Sequence, residues 1–318
     1  MILILTHKRG FEADHVIDIL KQRGVPFFRF NSDFDADSKI NNVVSIPKSS
    51  VKFESDHRSL LLSNISVAWF QQPPPQPEFD SRNTLIQTLQ NKNFQASYYW
   101  ALKQIQGRWL NNPFKVLNAA NKLFQLESAL KVGLFIPDTL VSNSYSDVFN
   151  FYKKHQKQII VKNLATPWYI NSKGKTVAAY TKLLTSDHLS EEKICVTPLI
   201  YQEYIERKYD VRVVVIGKDI FTAATPTTEN IGKYDIRRIP FDKIDYMQID
   251  LPINIRDKII ALMSYLDLQY ASIDFIINQF GQYFFLDLNC TGAFIWLERI
   301  VKYPISEKIA NYLIGKDI

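Results

Sequence analysis

Three oxygen-bearing side chains, Asp274, Asp287 and Asn289, stand in the stretch YASIDFIINQFGQYFFLDLN near the C-terminus. Each lies among large apolar residues, where a lone carboxylate is costly to desolvate. Asp287 and Asn289 are two positions apart, so on a β-strand they project from the same face. The turn NQFGQ brings the strand with Asp274 back beside them. Three hard oxygen ligands on one sheet face suit Mg²⁺, with phosphate oxygens and water completing the octahedron. The alternative is a polar, solvent-facing edge of a hairpin.

Two other stretches favour a nucleotide. Lys162 lies in the apolar run IIVKNL, where an ammonium group needs an anionic partner such as a phosphate. The alternative is a lysine at a strand end that reaches to water. The stretch QEYI, residues 202–205, ends a strand and offers a backbone carbonyl and N–H group to an adenine edge. An ordinary strand-to-loop junction is the alternative there.

The elements that must position these residues are helices and strands in mixed order. The opening MILILT, EADHVIDILKQRG and VPFFRFN predicts a β-α-β unit with a parallel sheet. A long helix is predicted from about Asn83 to Trp109. Another is predicted from Leu117, with Leu123, Leu126 and Leu130 on one face. The residues around SKGK predict a hairpin or a mobile loop, and residues 270–289 predict the hairpin that carries the three oxygen ligands.

Composition restricts the class of protein. The 318 residues are 46% hydrophobic and 22% charged, which is typical of a globular chain of two or three domains. No apolar run approaches the ~18 residues that span a bilayer. The start MILIL is too short for a signal peptide. Cys195 and Cys290 make no metal or disulfide pattern. A net charge of +6 suits an anionic ligand or an acidic partner, or a solvated basic surface.

Taken together, these stretches resemble the ATP-grasp superfamily over nearly the whole chain. An acid follows Asp274 by thirteen positions and an Asn follows that acid by two, which is the spacing found in the superfamily. The resemblance implies an α/β ATP-grasp fold, ATP and Mg²⁺ as cofactors, and activation of a carboxylate as an acyl phosphate. It also implies a role for each matching residue. Phosphate binding falls to Lys122 and Lys162, the adenine hinge to Gln202, Glu203, Tyr204 and Ile205, the ribose to Asp210, and Mg²⁺ to Asp274, Asp287 and Asn289.

A closer resemblance is to the branch that makes graspetides such as microviridins. It is carried by the stretches VAWF, NAANKLFQLESALKVGLFIPDTLVSN, IFTAA, KYDIRR and LNCTGAFIWLE. The resemblance implies a macrocyclase that phosphorylates Asp or Glu side chains of a ribosomal precursor peptide. A Thr or Ser hydroxyl, or a Lys amine, then closes an ester or amide ring. Arg212 and Arg237 are the expected contacts for phosphate and substrate carboxylate, because a guanidinium binds either group in a bidentate manner.

Three positions depart from the family pattern. Asp287 replaces the usual Glu and is one methylene shorter, which puts the metal geometry in doubt. Cys290 replaces the proline that follows the family's Asn. Ser272 stands where small-molecule ligases of the superfamily often carry an arginine. Two other functions therefore stay open at this point: a ligase that adds amino acids to a protein or small molecule, and a nucleotide-binding protein without turnover.

The resemblance also implies a domain plan. We expect an N-terminal domain at 1–117, a central lid at 118–201, and a C-terminal domain with the Mg²⁺ site at 202–318. ATP is expected between the last two. The expected partner is a precursor peptide with leader and core, in the cytoplasm, without nucleic acid or membrane; a homodimer is left open. The leader segment of the peptide is expected to bind at the surface between the central hairpin and the N-terminal domain, which we call the leader dock. Its residues are the aromatic Trp168, Tyr169 and Tyr180 and the basic Lys173, Lys175 and Lys182.

Overall fold

The computed structural model describes residues 1–32, 39–44, 49–55, 57–71, 84–165, 168–170, 175–227, 232–240 and 243–316. For residues 39–44, 49–50, 84, 87, 168–170 and 176 it describes the backbone alone. Within these ranges no helix is long and apolar enough to cross a membrane.

The N-terminal part is a parallel α/β unit with a small antiparallel sheet attached. Its elements are β1 (Ile2–Thr6), α1 (Phe11–Gln22), β2 (Phe27–Asn31), β3 (Lys39–Val44), β4 (Ser49–Ser55), β5 (Arg58–Leu61), β6 (Val67–Phe70), α2 (Thr84–Lys103) and β7 (Arg108–Leu110). The parallel sheet has the order β2-β1-β6-β7, and β3-β4-β5 form the second sheet. The predicted β-α-β opening is thereby confirmed. The expectation of one helix up to Trp109 is wrong, because the helix ends at Lys103 and Trp109 pairs with Ala68 in the parallel sheet.

The middle of the chain begins with two helices and continues into an antiparallel sheet. Its elements are α3 (Pro113–Ala119), α4 (Lys122–Lys131), β8 (Thr139–Ser142), α5 (Tyr145–Lys154), β9 (Ile159–Lys162), β10 (Trp168–Ile170), β11 (Thr176–Ala178), β12 (Lys182–Leu183), α6 (Glu191–Ile194) and β13 (Leu199–Glu203). The main sheet has the order β12-β9-β13-β8, and β10 and β11 pair as the predicted hairpin.

The helix expected from Leu117 is in fact two helices. Asn121 restarts the chain as an N-cap, because its side chain accepts hydrogen bonds from the N–H groups of Leu123 and Phe124. The second helix buries Leu126 but leaves Leu123 40% and Leu130 55% exposed. The three leucines lie on one helix at the predicted spacing, but of the three only Leu126 belongs to the core.

The C-terminal part is built on a five-stranded antiparallel sheet. Its elements are β14 (Arg207–Ile216), β15 (Asp219–Pro226), β16 (Met247–Gln248), α7 (Ile253–Leu266), β17 (Tyr270–Asn278), β18 (Tyr283–Asn289), α8 (Ile295–Val301) and α9 (Ile305–Ile314). The strand order is β16-β15-β14-β17-β18. Helices α4 and α7 contact each other, and α4 also packs on β18.

The described sheets therefore fall into three parts that follow one another along the chain. The central part has its own small core around Val148, Phe151 and Tyr201, whereas the N- and C-terminal sheets share the larger cores. The expected limits at 117 and 201 fall inside α3 and β13. The division into domains at 117 and 201 stays a prediction.

Candidate active site

A cavity of about 490 Å³ lies between the central and C-terminal sheets. This size suits a small ligand. The twelve residues that the sequence singled out all line it: Lys122, Lys162, Gln202, Glu203, Tyr204, Ile205, Asp210, Arg212, Arg237, Asp274, Asp287 and Asn289. The structure thus brings the whole predicted set together, while the role of each residue stays a prediction.

The acidic pair of the cavity is set by strand register. Asp274 on β17 stands directly opposite Asp287 on β18, and Ser272 stands opposite Asn289. Just before Asp287 the register shifts at a β-bulge, so that Phe275 pairs with Phe285. Phe285 is fully buried in the core. Without the extra residue Leu286, Asp287 would share the core face of Phe285, because side chains alternate along a strand. The bulge therefore turns the second carboxylate into the cavity.

Arg212 extends this row of charges to a third strand. It pairs with Asp274 across β14 and β17, and its Nε lies 2.9 Å from Asp274 Oδ1. Its Nη1 donates to the Ser272 hydroxyl at 2.6 Å, and the guanidinium lies over the Trp296 ring at 5.6 Å. Burial in the cavity raises the pKa of Asp274 against the opposing charge of Arg212, and Asp287 raises it further. Arg212 balances only one of the two facing carboxylates.

The donor set fits a hard cation. Two facing carboxylates repel each other, and a metal ion between them would remove that cost. Asn289 adds an amide oxygen, which accepts from the Thr291 N–H group at 3.0 Å and from the Thr291 hydroxyl at 3.3 Å. Rotation of this hydroxyl would leave one lone pair of the amide oxygen for a metal ion. Within the described ranges no group of three or more His, Cys, Asp or Glu side chains is arranged to hold a metal. Further ligands would come from Asn289, water and a bound phosphate, as Mg²⁺ prefers.

Two lysines face this acidic pair from the central part. Lys162 ends β9, and Lys122 begins α4 and donates from Nζ to the Asn163 carbonyl at 3.3 Å. Burial lowers the pKa of Lys162 to about 8; Asp287 opposes this shift, and Lys122 adds to it. Asp287 therefore does not offset the whole cost of burying this ammonium group, and an anion bound beside Lys162 would lower that cost.

The far end of the cavity is the strand end that was predicted as a hinge. Two of its N–H groups are occupied: Glu203 donates to the Asp138 carbonyl and Tyr204 to the Gln158 carbonyl, each at 2.9 Å. Ile205 N–H has no hydrogen-bond partner among the described residues. Gln202 is 2% exposed and its Oε1 has no partner there either, whereas its Nε2 donates to the Thr139 hydroxyl. An unpaired buried amide oxygen such as Gln202 Oε1 is expected where a ligand supplies the partner.

Asp210 shares the cavity with Arg207, a residue that the sequence reasoning missed. Three positions apart, they would face opposite ways on a regular strand. A bulge between Arg207 and Tyr209 brings them to one face, and Arg207 Nη1 donates to Asp210 Oδ1 at 2.5 Å. Burial raises the pKa of Asp210 to about 6 in spite of this partner. Arg207 also donates to the carbonyls of Gly232 and Lys233, so it connects the segment just before Asp235 to the start of β14.

Arg237 is held by Asp235, which was also missed. The Arg237 N–H, Nε and Nη2 groups all donate to the Asp235 carboxylate, at 3.1, 2.8 and 2.6 Å. The Thr181 N–H group donates to it as well, at 3.0 Å. Burial alone would raise the pKa of Asp235, but these donors bring it below its ordinary value. Asp235 thereby connects Arg237 to Thr181 in the central part. In the sequence, only its position in the motif KYDIRR pointed to Asp235.

The expected leader dock lies largely outside the described residues. The side chains of Trp168 and Tyr169 and the whole of Lys173 belong to the undescribed part. Lys175 and Lys182 are exposed, as is Tyr180, whose ring lies 5.9 Å from the Arg237 guanidinium. The leader dock stays a prediction.

With this geometry established, comparison with protein families gives a clear result. Residues 119–313 match the model described as the RimK-like ATP-grasp domain. The chain belongs to this family. No curated protein matches the sequence.

Solved structures extend the likeness beyond the family domain. The macrocyclase MdnC of Microcystis aeruginosa MRC, solved with the precursor peptide MdnA, is 26% identical with a TM-score of 0.88, over 99% of each chain. A Chryseobacterium gregarium RiPP-associated ATP-grasp ligase, solved with ADP and a leader and core peptide, is 25% identical with a TM-score of 0.88, over 99% of this chain and 96% of that one. The macrocyclase MdnB of Microcystis aeruginosa MRC is 26% identical with a TM-score of 0.83, over 98% of each chain. The predicted graspetide resemblance is confirmed.

Proposed function

We propose that this chain is an ATP-dependent ligase that closes ester or amide rings in a ribosomally made precursor peptide. The observation that carries the proposal is the extent of the likeness to MdnC, which covers 99% of both chains and thus includes the N-terminal part outside the family domain. A RimK domain protein from Sphaerobacter thermophilus covers as much of the chain, but with a TM-score of 0.57 against 0.88 for MdnC. The cavity supplies the matching chemistry.

The nucleotide lies along the cavity in this proposal. Adenine meets the strand end, where Ile205 N–H and the Gln202 amide oxygen are free among the described residues, and Asp210 faces the ribose. The phosphates lie between Lys122 and Lys162 on one side and the acidic pair on the other. Asp274, Asp287 and Asn289 would hold Mg²⁺, which would neutralise charge on the phosphate oxygens.

The reaction has two steps. A peptide carboxylate oxygen attacks the γ-phosphorus of ATP, the bond to the β-γ bridging oxygen breaks, and ADP leaves. The hydroxyl of Thr or Ser, or the amine of Lys, then attacks the acyl carbon and loses a proton, and phosphate leaves. Phosphate replaces a poor leaving group, so the protein has mainly to position groups and balance charge.

Two arginines provide the charge balance on the substrate side. Arg212 is fixed by Ser272 and Asp274, and Arg237 by Asp235, so both guanidinium groups are oriented before substrate enters. Held in this way, they bind a carboxylate or a phosphoryl oxygen without losing further side-chain freedom. The proposed ligands imply a cytoplasmic site of action, because ATP and a newly made peptide meet in the cytoplasm.

The test is a turnover measurement with peptide. The purified chain is mixed with ATP, Mg²⁺ and short Thr-, Asp-, Glu- and Lys-rich peptides encoded beside its gene, and ADP release is followed. ADP release that one such peptide stimulates supports the proposal. ATP turnover that needs a free amino acid instead would favour the amino-acid ligase, and absence of turnover with every peptide and every free amino acid would contradict both enzymes.

A further inference from the structure

Gln125 holds the strand that carries two of the proposed metal ligands. It lies on α4, is 2% exposed, and faces the outer edge of β18, away from β17. Its Nε2 donates to the Leu288 carbonyl at 2.8 Å, and its Oε1 accepts from the Leu288 N–H group at 2.9 Å. The same Nε2 donates to the Ala119 carbonyl at 2.7 Å. Gln125 therefore binds both backbone groups of the residue between Asp287 and Asn289.

This contact acts as a one-residue extension of the sheet. Leu288 pairs with Ile273 on β17, but its own N–H and C=O point the other way, toward α4. Such outward-facing groups on an edge strand normally pair with another strand or with water. The amide of Gln125 presents the same donor and acceptor and satisfies both groups.

The position of this contact matters because of the bulge just before it. The register of β18 shifts at Leu286, and a slip of one residue would exchange Asp287 and Asn289 for Leu288 on the cavity face. Two hydrogen bonds at Leu288 fix the register between the two ligands. Since α4 begins with Lys122, the same helix also sets the distance between a phosphate-binding lysine and the acidic pair.

We propose that Gln125 is a positioning residue that holds Asp287 and Asn289 in place for the metal ion through the backbone of Leu288. The inference rests on the proposed function, because it presumes that a metal–nucleotide complex occupies the cavity. Groups that orient metal ligands typically change metal affinity ten- to a hundredfold when removed. Gln125 acts on the ligands only through the backbone, so we expect a loss of about tenfold.

The experiment compares ADP affinity with and without metal, by calorimetry on the full chain. Wild-type protein, Gln125→Met and Ser128→Ala are each titrated with ADP in Mg²⁺ and in EDTA, and the ratio of the two affinities is the gain due to metal. Ser128 is the matched control, because it is fully buried on α4 and its hydroxyl donates to the Phe124 carbonyl, with no hydrogen bond to β18 among the described residues. Gln125→Met should lower the gain about tenfold and leave metal-free ADP affinity unchanged, whereas Ser128→Ala should keep the wild-type gain.

Results that overturn the role of Gln125 can be told apart from a result that overturns the proposed function. An unchanged gain in Gln125→Met, or an equal loss of affinity with and without metal, overturns the inference alone. If Gln125→Met does not fold, Gln125→Glu takes its place, since it keeps the shape and the oxygen that accepts from Leu288 but places a carboxylate against two carbonyl groups. The same loss of gain is expected of it. A wild-type protein that binds no ADP overturns the proposed function and this inference with it.

Discussion

Lys162 should take up a proton when a nucleotide binds. In the free protein burial lowers its pKa to about 8, with Asp287 opposing and Lys122 adding to the shift. Phosphate groups beside the ammonium would return the pKa to its ordinary 10.5 or higher. With these two values, ADP binding takes up about 0.1 proton at pH 7, about 0.5 at pH 8 and about 0.9 at pH 9.

Calorimetry in buffers of different ionisation enthalpy measures this uptake directly. Lys162→Met should abolish the rise from pH 7 to pH 9. Lys182→Met serves as the control, because Lys182 is exposed on β12, the neighbour of β9, and does not line the cavity. Uptake that stays constant across this range, or that survives in Lys162→Met, would refute the placement of phosphate at Lys162.

The same pKa has a consequence for the stability of the free protein. Because the folded-state pKa is below the unfolded value, the charged lysine destabilises the fold at every pH below about 8. The cost disappears as pH rises from 8 to 10.5 and amounts to at most about 3 kcal/mol, from 1.36 kcal/mol per pKa unit. Lys162→Met should therefore raise the unfolding free energy at pH 7, and the gain should shrink above pH 8. A stability loss at pH 7 in urea unfolding would contradict this reasoning.

Three further predictions concern the other charged groups. Asp287→Asn and Asn289→Ala should abolish ATP turnover, and wild-type turnover in either variant would refute the metal assignment. Asp287→Asn should do so without lowering the unfolding midpoint, because it removes like charge. Arg207→Met should lower the unfolding free energy in urea by about 3–5 kcal/mol, because it leaves the Asp210 carboxylate buried without its partner; an unchanged value would show that the pair is not needed. Asp235→Asn should lower kcat/KM about tenfold or more, because Arg237 loses charge-assisted hydrogen bonds; equal kcat/KM would mean that Arg237 needs no such support.

The sequence was sufficient for the parts of the site that follow simple periodicity. Strand alternation and the turn NQFGQ predicted that Asp274, Asp287 and Asn289 would meet on one face, and all three line one cavity. It was not sufficient for the bulges at Leu286 and Lys208, because nothing in the turn length or residue types states where an extra residue is accommodated. Those bulges decide which side chains face the cavity.

The sequence also did not identify residues that act through backbone hydrogen bonds. Gln125 is a polar residue on the buried face of a helix, and its partner Leu288 is far away in sequence, so no local pattern joins them. The helix start at Asn121, in contrast, could have been predicted, because Asn is a favoured N-cap residue. The continuous helix expected from Leu117 ignored that preference.

The most direct test of the account is the mass of a peptide before and after reaction with this chain. Short Thr-, Asp-, Glu- and Lys-rich peptides encoded beside its gene are incubated with the protein, ATP and Mg²⁺, and the products are analysed by mass spectrometry and fragmentation. The account predicts that one peptide loses the mass of one water for each ring formed, with one ADP and one phosphate released per ring. A peptide that gains the mass of an amino-acid residue, or ADP release that leaves the mass of every peptide unchanged, would contradict it.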